Sequence, residues 1–398
     1  MSDIDNKGIE GENFVNELAF SSYLKYWCYP GPLNELGDKK EICDLLILFK
    51  DIAIIFSVKN YAFKGNYERY FKSTIEKAVK QIQGAERKLF HSNQDIFIKH
   101  PDREIEHFPK ENFKKIFRII VNLGEGLEYH ISAEMTGKDE FISIFDKEDF
   151  KTVIKELDTI SDLVHFLEAR EALMRSKENL ILEGKEKDLL AIYLKNGREF
   201  ESEITDAANA KLHLFIDGSW ESFKKRKEVL LKESADKYSY LIDELVSKEI
   251  LKLPNGHLLA KELMSLDRYS RRVLGKSFVI FFQSHNHRAV GYNARRYGKI
   301  GDLLFILFYY TPDIEEKVVN FAVQTALHSH LIMSDNSTNK IILLGITKDM
   351  KQFKFGYLEM QGSHSDEEKA RIMSDALIFG WFKSHTAINF TELEYPDE

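Results

Sequence analysis

The chain is short of several things, and each shortage excludes something. Of its 398 residues only two are cysteines, Cys28 and Cys43. Two thiols are too few for a disulfide scaffold, so a reducing compartment is expected, with both side chains as small core residues. There are only 7 prolines, and 43% hydrophobic against 30% charged residues is an ordinary globular composition without disordered tracts. Long apolar runs are missing too. The greasiest segments, "SFVIFF" and "DLLFILFYY", fall far short of the roughly 18 residues that a spanning helix needs. The polar, acidic start "MSDIDNKGIEGEN" has no apolar core, so no secretory signal is expected. These absences predict a soluble, cytoplasmic protein with no membrane partner.

Two further shortages concern chemistry. No glycine-rich phosphate loop is present, which removes support for P-loop nucleotide hydrolysis, and "NLGEGLE" (122–128) fits a turn after a strand. The histidines of "SHNHR" (284–288) and "HSH" (328–330) lack a His-Glu-x-x-His pattern or a nearby cysteine. A transition-metal site is therefore not favoured there. In "HSH" the two rings, on a predicted helix, would also diverge. Positive charge is scarce overall, with a formal net charge of -8. That does not suggest a protein that coats nucleic acid, but local patches decide binding. Such patches occur at "FKKRK" (223–227), "RYSRR" (268–272) and "ARRYGK" (294–299). Each is either a solvated face or a phosphate site.

The length allows two or three domains with sizeable cores. Residues 8–27 have Phe14, Val15, Leu18, Leu24 and Trp27 at helical spacing, and "YPGP" at 29–32 stops that helix. "EICDLLILFKDIAIIFSVKNY" (41–61) then reads as two apolar strands, about 43–49 and 52–59, joined by a Lys50-Asp51 turn. A strong amphipathic helix follows over 70–90, with Phe71, Ile75, Ala78, Val79, Ile82, Ala85 and Leu89 as its stripe. Strands at 115–123 and 141–145 come next, then two helices capped by Asp146 and by Thr159 or Ser161. This order predicts an α/β fold, with a mixed sheet flanked by helices over 1–180. A mostly helical connecting region is expected over 181–275. A second α/β domain follows over 276–398, with strands at 277–283, 302–310, 340–346 and 353–360 and helices at about 313–333 and 365–382.

The hairpin carries the chemistry. A turn at 50–51 pairs positions that sum to about 101, which sets Ser57 across from Asp44, with Lys59 one diagonal step beyond. A carboxylate and an ammonium thus meet at the open end of a hairpin otherwise filled with Ile, Leu and Phe. The bland alternative is a structural ion pair at a strand end. Glu12 sits on the first helix behind Gly8 and Gly11, where a carboxylate can be aimed from a helix end, and Gln81 in "KAVKQIQGAERKL" sits on the next helix beside its apolar stripe. The bland alternatives are a helix N-terminal charge and a surface residue. Glu41, three residues before Asp44, would point the opposite way in an ideal strand. It contributes only if a bulge or turn intervenes.

The ordered set of Glu on helix one, Asp on a strand, x-Lys at the next strand's end and Ala-x-x-Gln on the following helix resembles the PD-(D/E)XK nuclease superfamily. The Mrr-like and NERD-like branches and other bacterial relatives look most similar, over roughly residues 8–125. The resemblance implies a restriction-endonuclease-like α/β domain. It also implies a divalent-metal-dependent nuclease acting on DNA, with RNA as the other substrate, in a setting such as bacterial defence or restriction. Asp44 matches the metal-binding aspartate, and Lys59 the lysine that activates water and offsets phosphate charge. Glu12 matches the supporting acid and Gln81 the polar helix residue of some branches. Ser57 departs from the pattern, standing where a second acid usually sits. Mg²⁺ or Mn²⁺ would take Asp44, Glu12 (or Glu41) and the Val58 carbonyl as ligands, with Ser57 touching water on the ion. Without a sufficient site, the domain is an inactive nuclease fold that binds nucleic acid or a partner protein. In the C-terminal half, "GYNARRYGK" interleaves Tyr292 and Tyr297 with Arg295, Arg296 and Lys299. That mixture suits stacking and phosphate contact, the alternative being a solvated turn between strands. This half would supply recognition, regulation or homodimerisation.

Overall fold

Strands β2 (Leu45–Phe49) and β3 (Ile52–Lys59) form the antiparallel hairpin that the sequence predicts. Their register pairs Leu45 with Phe56 and Phe49 with Ile52. Lys50 takes the left-handed backbone (φ 51°) that a two-residue hairpin turn demands. The hairpin is greasy on both sides because both faces are covered. Leu46, Leu48, Ala53 and Ile55 pack against Ile75, Ala78, Ile82, Ala85 and Leu89 of the following helix. On the other face, Phe56 meets Phe150 edge-on at 6.1 Å and Phe49 meets Trp27 at 5.2 Å.

The protein is described by a computed structural model covering residues 3–23, 25–126, 131–137, 139–175, 180–200, 212–288, 290–334, 338–347, 352–383 and 392–396. It divides into two compact units, Met1–Val229 and Leu230–Glu398. The expected connecting region 181–275 is shared between them.

In the first unit, α1 (Asp3–Tyr23) leads through a single 3-10 turn into β1 (Cys28–Pro30), a short edge strand where the sequence suggested only a helix stop. After the hairpin come α2 (Tyr67–Phe71), one π turn (Lys72–Glu76) and α3 (Lys77–Phe90). The single helix expected over 70–90 is therefore interrupted. The Ser73 and Thr74 hydroxyls donate to the Arg69 and Tyr70 carbonyls, each at 2.7 Å, and such back-bonding distorts a helix. Strands β4 (Phe97–Lys99) and β5 (Ile105–His107) form a small ribbon, and β6 (Lys115–Asn122), β7 (Ser132–Met135) and β8 (Phe141–Asp146) extend the main sheet. Its order is β1-β2-β3-β6-β8-β7, with β3, β6 and β8 parallel and the remaining pairings antiparallel. Helices α4 (Lys147–Glu156) and α5 (Ile160–Arg175) follow. Asp146 and Thr159 cap them as expected, accepting from the Asp149 and Asp162 amides. Strands β9 (Leu180–Glu183) and β10 (Leu212–Phe215) pair in parallel around α6 (Glu186–Lys195), and α7 (Ser219–Lys224) closes the unit. Both cysteines are buried thiols.

Helix α8 (Lys227–Ala235) runs across the unit boundary. The second unit continues with α9 (Lys237–Lys248), α10 (Gly256–Met264) and α11 (Arg268–His285). The expected strand 277–283 is the C-terminal half of α11. Its N-cap Asp267 accepts from the Ser270 amide, and Leu274, Phe278 and Phe281 are buried at helical spacing. A short apolar run does not distinguish strand from buried helix. The "turn" at 291–299 is a strand, β11 (Asn293–Ile300). With β12 (Leu303–Tyr310), β13 (Lys340–Thr347) and β14 (Phe353–Glu359) it forms a sheet in chain order, with β12 and β13 parallel. Helices α12 (Glu316–Met333) and α13 (Asp366–Ile378) share its core through Val319, Val323, Leu327 and Ala376. No helix among the described residues is long and apolar enough to cross a membrane.

Candidate active-site cleft

The hairpin register brings the polar set together. Asp44 lies one residue before β2, and its amide donates to the Phe56 carbonyl at 3.3 Å, so the ladder continues toward Ser57. The Asp44 Oδ2 accepts the Val58 amide. Residues 53, 55, 57 and 59 share one strand face, the one covered by α3. Ser57 and Lys59 therefore continue the α3-facing row beyond the point where the apolar stripe ends. Lys59 Nζ donates to Ser57 Oγ at 2.9 Å and to the Val58 carbonyl at 2.8 Å, and lies 3.8 Å from Asp44 Oδ2. Ser57 Oγ donates to Gln81 Oε1 of α3 at 3.2 Å.

These groups open onto one cleft of about 390 Å³, lined by Glu12, Glu41, Asp44, Val58, Lys59 and Gln81 among others. Helix α1 packs closely at Gly11. A Cβ there would stand 3.0 Å from Leu123 Cδ1 and 3.5 Å from Val58, so a larger residue would need the Leu123 side chain to give way. The next residue, Glu12, then leans into the cleft.

Three carboxylates crowd the space. Burial pushes the Glu12 carboxyl above its ordinary value, Asp44 and Glu41 push it further, and Lys59 offsets part of this. Glu41 is raised likewise, by burial and by Asp44. Burial lowers Lys59, against the pull of Asp44. Burial is the first cause of all three shifts, so they mark a partly desolvated site that holds charges of both signs.

Sequence reasoning set Glu41 aside because of strand alternation. The strand begins only at Leu45; Glu41 sits in an isolated bridge with Leu33, while Ile42 and Cys43 enter the core. The chain turns between Glu41 and Asp44, and both carboxylates reach the cleft. Lys64 and Lys77 also line it and were not singled out. Lys77 stands one helical turn before Gln81, a spacing that would have revealed it.

Ser57 and Val58 act differently from what the resemblance implies. Ser57 is 2% exposed and engaged with Lys59 and Gln81, so it positions the lysine and does not face the cleft. The Val58 carbonyl, expected to face a cation, accepts the Lys59 ammonium. The oxygen donors in the cleft suit a hard divalent ion in kind. Among the described residues, however, no three His, Cys, Asp or Glu side chains are close enough to hold a metal ion as they stand. Mg²⁺ commonly keeps several waters, so one or two carboxylates suffice to hold it.

The second-half candidates scatter. Arg295 and Arg296 project to opposite faces of β11. Arg295 Nε donates to His330 Nε2 at 2.9 Å, and its guanidinium lies 4.4 Å from the Trp381 ring centre and 4.8 Å from that of Phe382. Burial pulls Arg295 down to about 10. Arg296 lies over Phe281, and only Lys299 is exposed. The "RYSRR" patch is neither a solvated face nor a phosphate site. Arg268, Arg271 and Arg272 are buried in ion pairs with Asp243 and Asp236. The two rings of "HSH" diverge as expected. His328 Nδ1 meets His364 Nε2 at 2.9 Å, while His330 stacks near Tyr297.

Comparison with family models and with curated proteins finds no match to this chain.

Proposed function

We propose that the Met1–Val229 unit is a divalent-metal-dependent nuclease that hydrolyses phosphodiester bonds of DNA, and that the protein works in the cytoplasm. The observation that carries this reading is convergence. Asp44, Lys59, Glu12 and Gln81, from a strand start, a strand end and two helices, all line one open cleft. Asp44 would be the principal holder of Mg²⁺ or Mn²⁺, with Glu12 and Glu41 beside it. A divalent ion held there would polarise the phosphate and lower the pKa of water. Lys59 places a positive charge at the mouth of the hairpin, where charge develops on the phosphate during attack. Ser57 and Gln81 hold Lys59 in line, since a lysine stem fixed at its tip cannot swing away. Glu12 and Glu41 set the local charge balance, and their raised proton affinity falls when a cation arrives.

A second reading has its own support. Lys59 occupies the Val58 carbonyl, and no three-ligand group is preassembled among the described residues. Both suit a nuclease fold that binds nucleic acid, or a partner protein, without cutting. Supercoiled plasmid titrated with Mg²⁺ or Mn²⁺ separates the two. Metal-dependent nicking that Asp44→Ala and Lys59→Ala both abolish is expected of the enzyme. Wild-type protein that binds DNA without nicking it at any metal concentration would leave only the binding reading.

A further inference from the structure

The segment that leaves the cleft has an unusual surface. Residues 60–69 follow Lys59 directly, and of these only Asn60 and Phe63 are withdrawn from full exposure. The loop is nevertheless anchored. The Phe63 amide donates to the Glu125 carbonyl at 2.8 Å, and Phe63 meets the Tyr70 ring edge-on at 5.5 Å. Tyr70 is 5% exposed and its hydroxyl accepts Asn122 Nδ2. Gly124 allows the loop to lie against the end of β6, since a Cβ there would stand 1.8 Å from the Tyr61 carbonyl.

Two of the four aromatic residues at 61–70 therefore act as anchors, and two stay outside. Tyr61 is 38% exposed and lines the cleft; Tyr67 is 60% exposed and stacks on Phe71 at 6.1 Å. Around them stand Lys64, Arg69, Lys72, Lys77 and Lys80, all exposed, against Glu68 and Glu76. None of these five cations forms an ion pair with the described residues, whereas Lys25, Lys88, Lys115 and Lys187 of the same unit do. In a protein with a net charge of -8, this is a local reversal of sign.

We propose that the strip 61–80 binds an unpaired nucleic-acid strand and feeds it to the cleft, with Tyr61 and Tyr67 stacking on bases and Lys64 and Lys77 holding phosphates. Exposed rings beside a cationic track match a single strand, whose bases offer free π-faces; in a duplex those faces are already stacked on one another. The inference rests on the reading of the cleft as a phosphodiester site, and deepens it by naming the form of the substrate.

The test is anisotropy with the full chain in EDTA, so that binding is read without hydrolysis. Its probes are fluorescent dT20, rU20 and a 20-base-pair DNA duplex. Tighter binding of either unpaired strand than of the duplex is expected. Tyr61→Ala and Tyr67→Ala should each weaken the single strand by about five- to hundredfold. Tyr67→Phe should keep the affinity, because the ring face stacks and the hydroxyl does not. Lys64→Ala and Lys77→Ala should each flatten the dependence of log affinity on log salt by about 0.7. A duplex bound as tightly as the single strands, no binding of any probe, or tyrosine variants that bind like wild type would overturn the proposal. The nuclease reading is judged separately, by metal-dependent nicking and its loss in Asp44→Ala. Plasmid nicking together with duplex preference would retain the enzyme and discard the single-strand track.

Discussion

The mouth of the β2–β3 hairpin and the strand β11 use similar side chains to opposite ends. Each brings a cation up against polar neighbours on a mixed sheet, Lys59 at the end of the interior strand β3 and Arg295 on the edge strand β11. At the hairpin, Lys59 is nearly buried, yet its neighbours are carboxylates that line an open cleft, where burial and then Asp44 raise the proton affinity of Glu12 and Glu41. At β11, Arg295 is held between His330 and the rings of Trp381 and Phe382, and forms no ion pair among the described residues. Aromatic faces and a neutral imidazole leave the guanidinium's charge uncancelled but cover its faces and take up its Nε–H, which keeps an incoming group away. Carboxylates at a cleft leave the balance open. What decides whether a cation can act on a ligand is the chemistry of its partners and the space beside it, not its sign.

The sharpest way to break this contrast is to remove the cation on each side. Lys59→Met should lower metal-dependent nicking by about 100-fold or more, the usual scale for losing a group that stabilises developing charge. Arg295→Met should leave nicking untouched. It should instead destabilise the Leu230–Glu398 unit by about 2 kcal/mol, through the lost cation–π contacts and the unpaired His330 nitrogen. Plasmid assays and denaturant melts of both variants check the crossing. If Arg295→Met lowered nicking at unchanged stability, the two regions would not differ as argued.

How much of this was legible in the sequence varies with the physics. The hairpin's register was readable, though not the start of β2, because a two-residue turn fixes the pairing and both faces are apolar up to Asp44 and Ser57. The helices after β8 were readable through their caps. What failed to show was what depends on distant neighbours. "SFVIFF" is apolar at every position after Ser277 and has no period, so only the buried helix around it decides its form. Arg295 looks like a phosphate ligand in its own segment, and the aromatic residues that occupy it lie more than 80 positions later. Glu41 was masked by assuming that β2 begins two residues before it does. The exposed track at 61–80 was passed over because its anchors, Phe63 and Tyr70, and its free rings, Tyr61 and Tyr67, are the same residue types.

Acid titration sharpens the comparison next, since buried ionisable groups give the two units opposite slopes. Burial, with Arg295 beside it, takes the His330 imidazole from 6.5 down to about 3. The unfolded chain therefore binds that proton first. The stability it contributes is complete above about pH 6.5 and is lost as pH falls toward 3, at roughly 1.4 kcal/mol per unit. Asp149 in the first unit runs the other way. Burial beside Asp146 and Glu186 lifts its carboxyl from 3.8 to about 7. Here the folded state holds a proton that the unfolded chain has released. Its contribution is complete below about pH 4 and disappears as pH rises through 7. Between these limits, acidification should weaken the second unit and strengthen the first. Hydrogen exchange followed separately in each unit reads both slopes. His330→Gln and Asp149→Asn should each flatten one of them and leave the other unchanged.

A smaller effect tests whether Glu41 stands in for the acid that Ser57 lacks. Glu41→Gln removes one of three crowded carboxylates, so the Glu12 carboxyl should fall toward its ordinary value, as NMR titration would show. If Glu41 helps to hold the cation, Mn²⁺ should bind about tenfold more weakly, a loss of roughly 1.4 kcal/mol. If it only crowds the cleft, relief of repulsion should leave Mn²⁺ affinity unchanged or better. Calorimetry with Mn²⁺ distinguishes the two without any appeal to turnover.

Ser57→Ala should give the smallest change, and it probes the interior of the hairpin's mouth most directly. The substitution removes one of the two hydrogen bonds that the lysine tip donates, the one at 2.9 Å, and breaks the link to Gln81. Lys59 keeps the Val58 carbonyl and the nearby Asp44, so the ammonium should stay in the cleft with more freedom. A single hydrogen bond of this kind contributes about 1 kcal/mol, which sets the expected fall in nicking at about fivefold, with metal affinity unchanged. Gln81→Ala should do no more than this, and the double variant should fall no further than Ser57→Ala, since both act through one chain of contacts. A Ser57→Ala protein that lost Mn²⁺ affinity would instead make the hydroxyl part of the cation's surroundings, and would move the second donor from Glu41 back to β3.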